Sequence, residues 1–123
     1  MARALVSVVD DDESVRESLA GLIRSVGLTV KVFASAEEFL GSEHLPGTDC
    51  LILDVRMPGM DGLELHRLLR TSHPGLPVIF ITAHGSEEAV RLRALDDGAI
   101  DYLLKPLSEE EVLSAVHTAL GSA

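Results

Sequence analysis

Short apolar runs alternate along the chain with segments in which apolar residues recur every three or four positions. The runs cover residues 4–9, 29–33, 50–53, 78–81 and 100–104. Short runs rich in Val, Ile and Leu are typical of buried β-strands, whereas recurrence at three to four residues is typical of amphipathic helices. The pattern therefore predicts five strands, each followed by a helix.

Local signals mark where several of these helices begin and end. Gly27 ends the first helical pattern, as glycine commonly does. Ser35 with Glu38, and Ser108 with Glu111, match the capping box, in which the two side chains satisfy each other's backbone N–H groups. They predict that the second and fifth helices begin there.

The strict alternation of strand and helix indicates an α/β fold. It predicts a parallel sheet with helices on both faces. We expect a doubly wound, flavodoxin-like (βα)5 domain with strand order 2-1-3-4-5. The chain has 123 residues and no internal linker, so we expect one domain over residues 1–123 and no output domain within it.

Polar residues stand at the carboxyl ends of four predicted strands. They are Asp10, Asp11 and Asp12 after the first strand, Asp54 after the third, Thr82 after the fourth and Lys105 after the fifth. In open parallel sheets, ligands bind beyond these ends, where the strand order reverses. We therefore expect the polar side chains to share one pocket.

These residue types together favour phosphoryl chemistry. Two carboxylates about 4 Å apart repel by roughly 4 kcal/mol, so among Asp10, Asp11 and Asp54 either a pKa rises or a cation binds. Oxygen ligands suit Mg²⁺, with Mn²⁺ as an alternative. Asp54, one step past a predicted strand, is the candidate nucleophile. The Lys105 ammonium and the Thr82 hydroxyl would then stabilise negative charge on a phosphoryl group.

Each residue also has an ordinary structural explanation. Acids before a helix cap its first turn, an Asp after a strand often lies in a turn, Thr favours strands, and Lys-Pro is a common turn. Their placement at four strand ends is what these explanations leave unaccounted for.

Composition excludes several classes of function. The chain has 20 acidic and 10 basic side chains, a net charge of -10, and only four aromatic residues. Such a surface repels nucleic acid and offers little for bases to stack on, so we expect no direct DNA binding. The first apolar run is too short for a signal peptide or a membrane span, and Cys50 has no partner for a disulfide. We therefore expect a cytoplasmic protein.

Four segments resemble the receiver domain of two-component response regulators, across essentially the whole chain. They are the acid pair at 10 and 11, the stretch Leu-Asp-Val-Arg-Met-Pro-Gly-Met-Asp-Gly at 53–62, Thr82-Ala83 and Lys105-Pro106. Residues 35–40 and 82–85 are most similar to the FixJ-type subgroup.

The resemblance implies a role for each matching residue. Asp54 would be the phosphoacceptor, Asp11 a direct Mg²⁺ ligand, Asp10 a ligand through water, and the Arg56 carbonyl a further ligand. Thr82 and Tyr102 would be the switch residues, with the backbone of Ala83 and the ammonium of Lys105 contacting the phosphoryl group. The peptide bond before Pro106 would be cis.

The resemblance also implies partners. The phosphodonor would be a sensor histidine kinase or a small acyl phosphate. The domain would catalyse its own phosphorylation and slow hydrolysis without being a turnover enzyme. A DNA-binding output domain would lie outside this chain, and the phosphorylated form would pair through its fourth-helix to fifth-helix face.

Two features depart from the family pattern. The separation of Thr82 from Lys105 is 23 positions, one more than the resemblance leads us to expect. Asp96 and Asp97 also place two acids at the carboxyl end of the fourth predicted helix, residues 87–95, where the helix dipole disfavours them. We hypothesise that the fourth helix frays or shifts easily.

Three other classes of protein are alternatives to a receiver domain. A phosphatase of the haloacid-dehalogenase type needs an aspartate two residues after the nucleophile, where this chain has Arg56. A phosphorylation-independent scaffold would not need the full set of pocket residues. A nucleotide-binding fold needs a glycine-rich turn, and residues 10–14 are not one.

Overall fold

The computed structural model describes residues 3–83 and 88–121, and within them one parallel sheet is covered by helices. The strands are β1 (Leu5–Val9), β2 (Thr29–Phe33), β3 (Cys50–Asp54), β4 (Val78–Thr82) and β5 (Asp101–Leu104). The helices are α1 (Glu13–Ser25), α2 (Ala36–Leu40), α3 (Gly62–Ser72), α4 (Glu88–Asp96) and α5 (Glu109–Ala119). The strand order β2-β1-β3-β4-β5 confirms the predicted flavodoxin-like topology.

Two of the predicted strands are one residue too short, and both missing residues belong to the site. Asp54 and Thr82 are the last residues of β3 and β4, not the first residues beyond them. Sheet pairing continues that far because the Lys105 N–H donates to the Thr82 carbonyl at 2.8 Å. The backbone of Asp54 is paired opposite Ile81 in the same way. Both polar side chains are therefore aimed by sheet backbone.

The sheet buries two apolar clusters, one on each face. Helices α2, α3 and α4 cover the first cluster, through residues such as Phe39, Leu65 and Ala94. Helices α1 and α5 cover the second, through residues such as Ile23 and Val116. Fully buried strands on both faces explain why the strands appear in the sequence as continuous apolar runs.

Alternation along the strands assigns the site residues to opposite faces. Ile52 of β3 and Leu103 of β5 belong to the α1/α5 cluster. Asp54 and Lys105 each follow by two positions and share that face. Thr82 follows Phe80, which belongs to the opposite cluster. Thr82 thus lies at the same edge as the acids but on the face of the sheet that α2, α3 and α4 cover.

Helix capping differs in part from the sequence prediction. The Glu38 N–H donates to Ser35 Oγ at 3.1 Å, and the fifth helix has the same serine cap, but the described contacts show only this serine half of each predicted box. The complete capping box lies at α3, where Asp61 and Glu64 each accept the other's backbone N–H at 2.9 and 3.1 Å. An aspartate in the serine position concealed that signal.

The fourth helix is described from Glu88 to Asp96, so its predicted first residue, Glu87, lies outside the described residues, as do His84 and Gly85 of the FixJ-like segment. Asp97 lies just past the helix and forms an ion pair with Arg70 of α3 at 3.3 Å. This contact offsets the unfavourable dipole interaction that we expected for Asp97.

Two further findings concern exclusions made from the sequence. Cys50 is a free, fully buried thiol, and burial followed by the charge of Asp49 raises its pKa to about 12. Across residues 3–83 and 88–121, none of the helices combines the length and apolar character needed to cross a membrane.

Candidate functional site

Three carboxylates converge at the carboxyl edge of the sheet. Asp10, Asp11 and Asp54 each offer an oxygen, and these oxygens all lie within 4.8 Å of one another. Asp10 is fully buried, Asp54 is 4% exposed and Asp11 is open to solvent. Three oxygens at this spacing, one facing water, fit a hard divalent cation that keeps some water ligands. The predicted clustering of these acids is therefore present.

The acids that follow β1 divide into two roles. Asp10 Oδ1 accepts the backbone N–H of Asp12 at 2.8 Å, which fixes the turn out of the strand. The Asp12 carboxylate caps α1 by accepting the N–H of Ser14 at 2.8 Å and that of Val15 at 3.4 Å. Helix capping, the ordinary structural role considered for these acids, therefore applies to Asp12. Asp10 and Asp11 belong to the carboxylate cluster.

The Lys105 ammonium places a positive charge beside the acids. Its Nζ lies 2.9 Å from Asp10 Oδ2 and 3.8 Å from Asp54 Oδ2. Asp10 Oδ2 is fully buried, so the shorter contact is an ion pair shielded from water on the aspartate side. The Lys105-Pro106 peptide bond is cis, as the resemblance implied.

Burial and charge shift the pKa values of Asp54 and Lys105. Burial, and then the negative charge of Asp10, raises the pKa of Asp54 to about 7, against smaller opposing effects of Lys105 and the Arg56 backbone. Burial alone would lower the pKa of Lys105, but the contact with Asp10 and the surrounding carboxylates outweigh it and raise that pKa. The cluster thus lacks positive charge, which an added cation would supply.

The loop from β3 to α3 approaches Asp54 closely. The Gly62 N–H donates to the Val55 carbonyl at 2.9 Å and closes the loop. A Cβ at position 62 would overlap the backbone of Asp54, so only glycine fits there. On the outer side of the loop, the Glu37 carboxylate of α2 accepts the Met60 N–H at 3.0 Å. Gly62 and Glu37 lie in segments that resemble the family, but sequence reasoning gave neither a role, since their partners are not neighbours in the chain.

An open cleft of about 410 Å³ lies over these groups, and its lining holds most of the predicted site residues. It is lined by Asp11, Asp12, Asp54, Arg56, Thr82, Ala83 and Lys105. Asp10 lies beneath its floor. Tyr102 is 8% exposed and packs in the α2–α4 cluster, its ring centroid 6.4 Å from that of Phe80. The predicted site residues therefore all line the cleft except Asp10 and Tyr102, which are buried.

Comparisons with known proteins agree with this geometry. The family model of the response regulator receiver domain matches residues 6–117. Response regulator protein TmoT of Ectopseudomonas mendocina is 45% identical over 117 residues, which cover 95% of this chain and 53% of TmoT. The DNA-binding transcriptional regulator NtrC of Salmonella typhimurium is 42% identical over 120 residues, covering 98% of this chain and 25% of NtrC.

The solved structure of FixJ-N is 36% identical and superposes with a TM-score of 0.85, covering 100% of this chain and 98% of that one. The chain spans about half the length of TmoT and a quarter of that of NtrC. With the family match extending from β1 into α5, and with the acid cluster and Lys105 at the expected edge, this chain belongs to the response-regulator receiver domains of two-component systems.

Proposed function

We propose that this domain takes a phosphoryl group on Asp54 from a sensor histidine kinase or a small acyl phosphate, in a reaction that requires Mg²⁺. One observation carries the proposal. The Asp54 carboxylate lies at the carboxyl end of β3, in a cluster with Asp10 and Asp11 that can hold a cation, and 3.8 Å from the Lys105 ammonium. A phosphoryl group bonded to Asp54 would enter the cleft with positive charge on two sides.

Four residues of the chain have separate roles in phosphoryl transfer. An Asp54 carboxylate oxygen forms the new bond to phosphorus as the bond from phosphorus to the donor's nitrogen or oxygen breaks. Lys105 balances charge on the transferred oxygens, and the Thr82 hydroxyl and the Ala83 N–H donate hydrogen bonds to them. Asp54 must be ionised to attack; burial, and then the charge of Asp10, raises its pKa to about 7, so a cation bound beside it would favour the attacking form.

The donor set supports Mg²⁺, with Mn²⁺ as a substitute, since all three side chains offer carboxylate oxygen. Asp11 and Asp54 would hold the ion directly, Asp10 through water, and the Arg56 carbonyl from the loop. Bound there, the ion would neutralise charge on the phosphoryl oxygens.

We propose that phosphorylation shifts a conformational equilibrium through Thr82 and Tyr102. Thr82 would move toward the phosphoryl group, and Tyr102 would take up the space that this movement leaves. The sharing of one cluster by Tyr102 and Phe80, two residues before Thr82, supports such coupling.

The relatives support a place in gene regulation. NtrC is a DNA-binding transcriptional regulator and TmoT a response regulator, and both are longer than this chain. We propose that residues 1–123 act as the receiver unit of a regulator whose DNA-binding domain lies outside this chain. Exposed Leu92 of α4 and Leu104 of β5 support pairing of phosphorylated copies at the edge next to α4 and α5.

The decisive experiment uses labelled acetyl phosphate with Mg²⁺. Asp54→Asn should abolish uptake of acid-labile phosphate, because the amide cannot form the acyl phosphate. Asp12→Asn is the matched control and should keep uptake, since Asn caps a helix as well as Asp does. Full uptake by Asp54→Asn would refute the proposal, and wild-type partner binding that ignores beryllofluoride would favour a scaffold.

A further inference from the structure

The loop between β3 and α3, residues 55–61, carries the Arg56 carbonyl that we propose as a metal ligand. Its base is firmly held. Val55 and Met57 are 3% and 8% exposed and pack in the α2–α4 cluster. The Gly62 N–H closes the loop on the Val55 carbonyl at 2.9 Å. The base alone, however, does not fix the outer half of the loop.

The outer half is held by a side chain from α2. Glu37 Oε2 accepts the backbone N–H of Met60 at 3.0 Å, across 23 positions of sequence. Gly59 adopts φ +74°, and a Cβ there would come within 2.8 Å of the same Oε2. The missing side chain at position 59 is what lets the carboxylate reach the loop backbone.

Helix α2 presents Glu37 from a rigid base. Ala36 and Phe39, on either side of Glu37 in the sequence, are fully buried. The Phe39 ring meets Phe33 of β2 edge-on, with ring centroids 5.2 Å apart. The hydrogen bond from Met60 is also the largest influence that lowers the pKa of Glu37, which keeps the acceptor ionised.

We infer that Glu37 is a positioning residue of the metal site, holding the Met60 backbone so that the Arg56 carbonyl is directed toward the acid cluster. The inference rests on the proposed Mg²⁺ site. Glu37 touches neither the ion nor the phosphoryl group, so its effect passes through the loop. Its loss would let residues 58–60, which adjoin the buried base of the loop, sample more conformations, and binding the ion at the Arg56 carbonyl would then have to order them.

The test measures binding of Mg²⁺ alone by NMR titration, following the amides of Asp11, Asp54 and Arg56. Glu37→Ala should weaken Mg²⁺ binding about three- to tenfold. Glu37→Gln keeps an acceptor oxygen and should recover most of that loss. Glu38→Ala removes the same charge from the same turn of α2 and should bind like wild type.

Amide exchange of Met60 without metal gives a second readout. It should quicken in Glu37→Ala and stay slow in Glu37→Gln. Gly59→Ala should weaken Mg²⁺ binding by itself and weaken it less in the Glu37→Ala background, because the contact it disturbs is already gone.

Two results would overturn the inference. One is wild-type Mg²⁺ affinity in Glu37→Ala. The other is equal weakening in the Ala and Gln variants, which would assign the effect to charge and not to the hydrogen bond. Absence of Mg²⁺ binding by the wild-type chain would instead refute the proposed function, and this inference with it.

Discussion

Asp54 is held where its own charge is disfavoured. It is 4% exposed and lies near two acids, and Lys105 compensates only partly at 3.8 Å. The pKa of about 7, against an ordinary value of 3.8, reflects burial first and repulsion second. The residue that does the proposed chemistry therefore lowers the stability of the metal-free domain.

We predict that Asp54→Asn stabilises the metal-free protein at alkaline pH. The native state binds more protons at Asp54 than the unfolded chain does between pH 3.8 and about 7, so stability falls as pH rises through that window. Asn removes this loss and should add up to about 4 kcal/mol to the free energy of unfolding near pH 8. Urea denaturation in EDTA measures the difference, which should shrink toward pH 4. Equal stability of the two proteins at both pH values would contradict it.

His66 should give the opposite dependence on pH. It is 5% exposed and lies edge-on to Phe80, with ring centroids 5.3 Å apart. Burial and then the charge of Arg70 lower its pKa, against an opposing effect of Asp97. His66 lines a second cleft, away from the acid cluster, and His73 lines that cleft too. The ordinary pKa of histidine is 6.5, and below that pH the unfolded chain binds this proton more readily than the folded one. Stability should therefore decrease as the pH is lowered.

His66→Gln should therefore flatten the loss of stability between about pH 7 and about pH 5. The measurement is the free energy of unfolding of both proteins across that range. Parallel curves would show that His66 does not contribute to the slope.

At the scale of elements, the strands were predictable and their ends were not. Buried strands such as β3 and β4 are apolar throughout, so the pattern located them. The pattern stopped at Asp54 and Thr82 because polar side chains interrupt it, whereas the backbone ladder depends on N–H and C=O groups and continues. The capping of α3 was missed because aspartate replaced the expected serine at position 61.

The fourth helix remains the element predicted to be weakest. Of the side chains described in α4, Ala94 is fully buried and Val90 and Leu95 are partly buried against the α2–α4 cluster, whereas Leu92 is 55% exposed. Helix α3 buries Leu65 and Leu69 and has a complete capping box. We therefore expect faster amide hydrogen exchange over residues 88–97 than in α3.

Arg70→Ala should speed amide hydrogen exchange at the carboxyl end of α4. The Arg70–Asp97 pair is half exposed on the arginine side, and pairs of this kind contribute about 0.2 to 1 kcal/mol. Losing it should raise exchange near Asp97 by a factor of about two to five. Protection of α4 equal to that of α3 would refute the idea that this helix frays.

For the molecule as a whole, the proposed ion should act as a folding ligand. The cluster joins β1 to β3, and an ion bound there stabilises only the folded chain. At an Mg²⁺ concentration about 100 times the Kd, the free energy of unfolding should increase by about 2.7 kcal/mol. Thermal unfolding with and without Mg²⁺ measures this, and Asp11→Asn should remove most of the gain. A melting temperature indifferent to Mg²⁺ would contradict the proposed site.

The site was predictable where fold topology alone brings residues together. Parallel strands place Asp10, Asp54 and Lys105 at one edge whatever the loops do. The contacts of Glu37 and Gly62 depend on loop geometry, which no local pattern encodes.

The order of the sheet has a consequence for synthesis on the ribosome. The strands that carry the acids, β1 and β3, are neighbours and emerge early, whereas Lys105 follows the final strand at the far border. The acids of the cluster are thus synthesised before Lys105. The last strand to leave the ribosome supplies the ammonium that lies 2.9 Å from Asp10 Oδ2, so a chain truncated before β5 would lack this counter-charge.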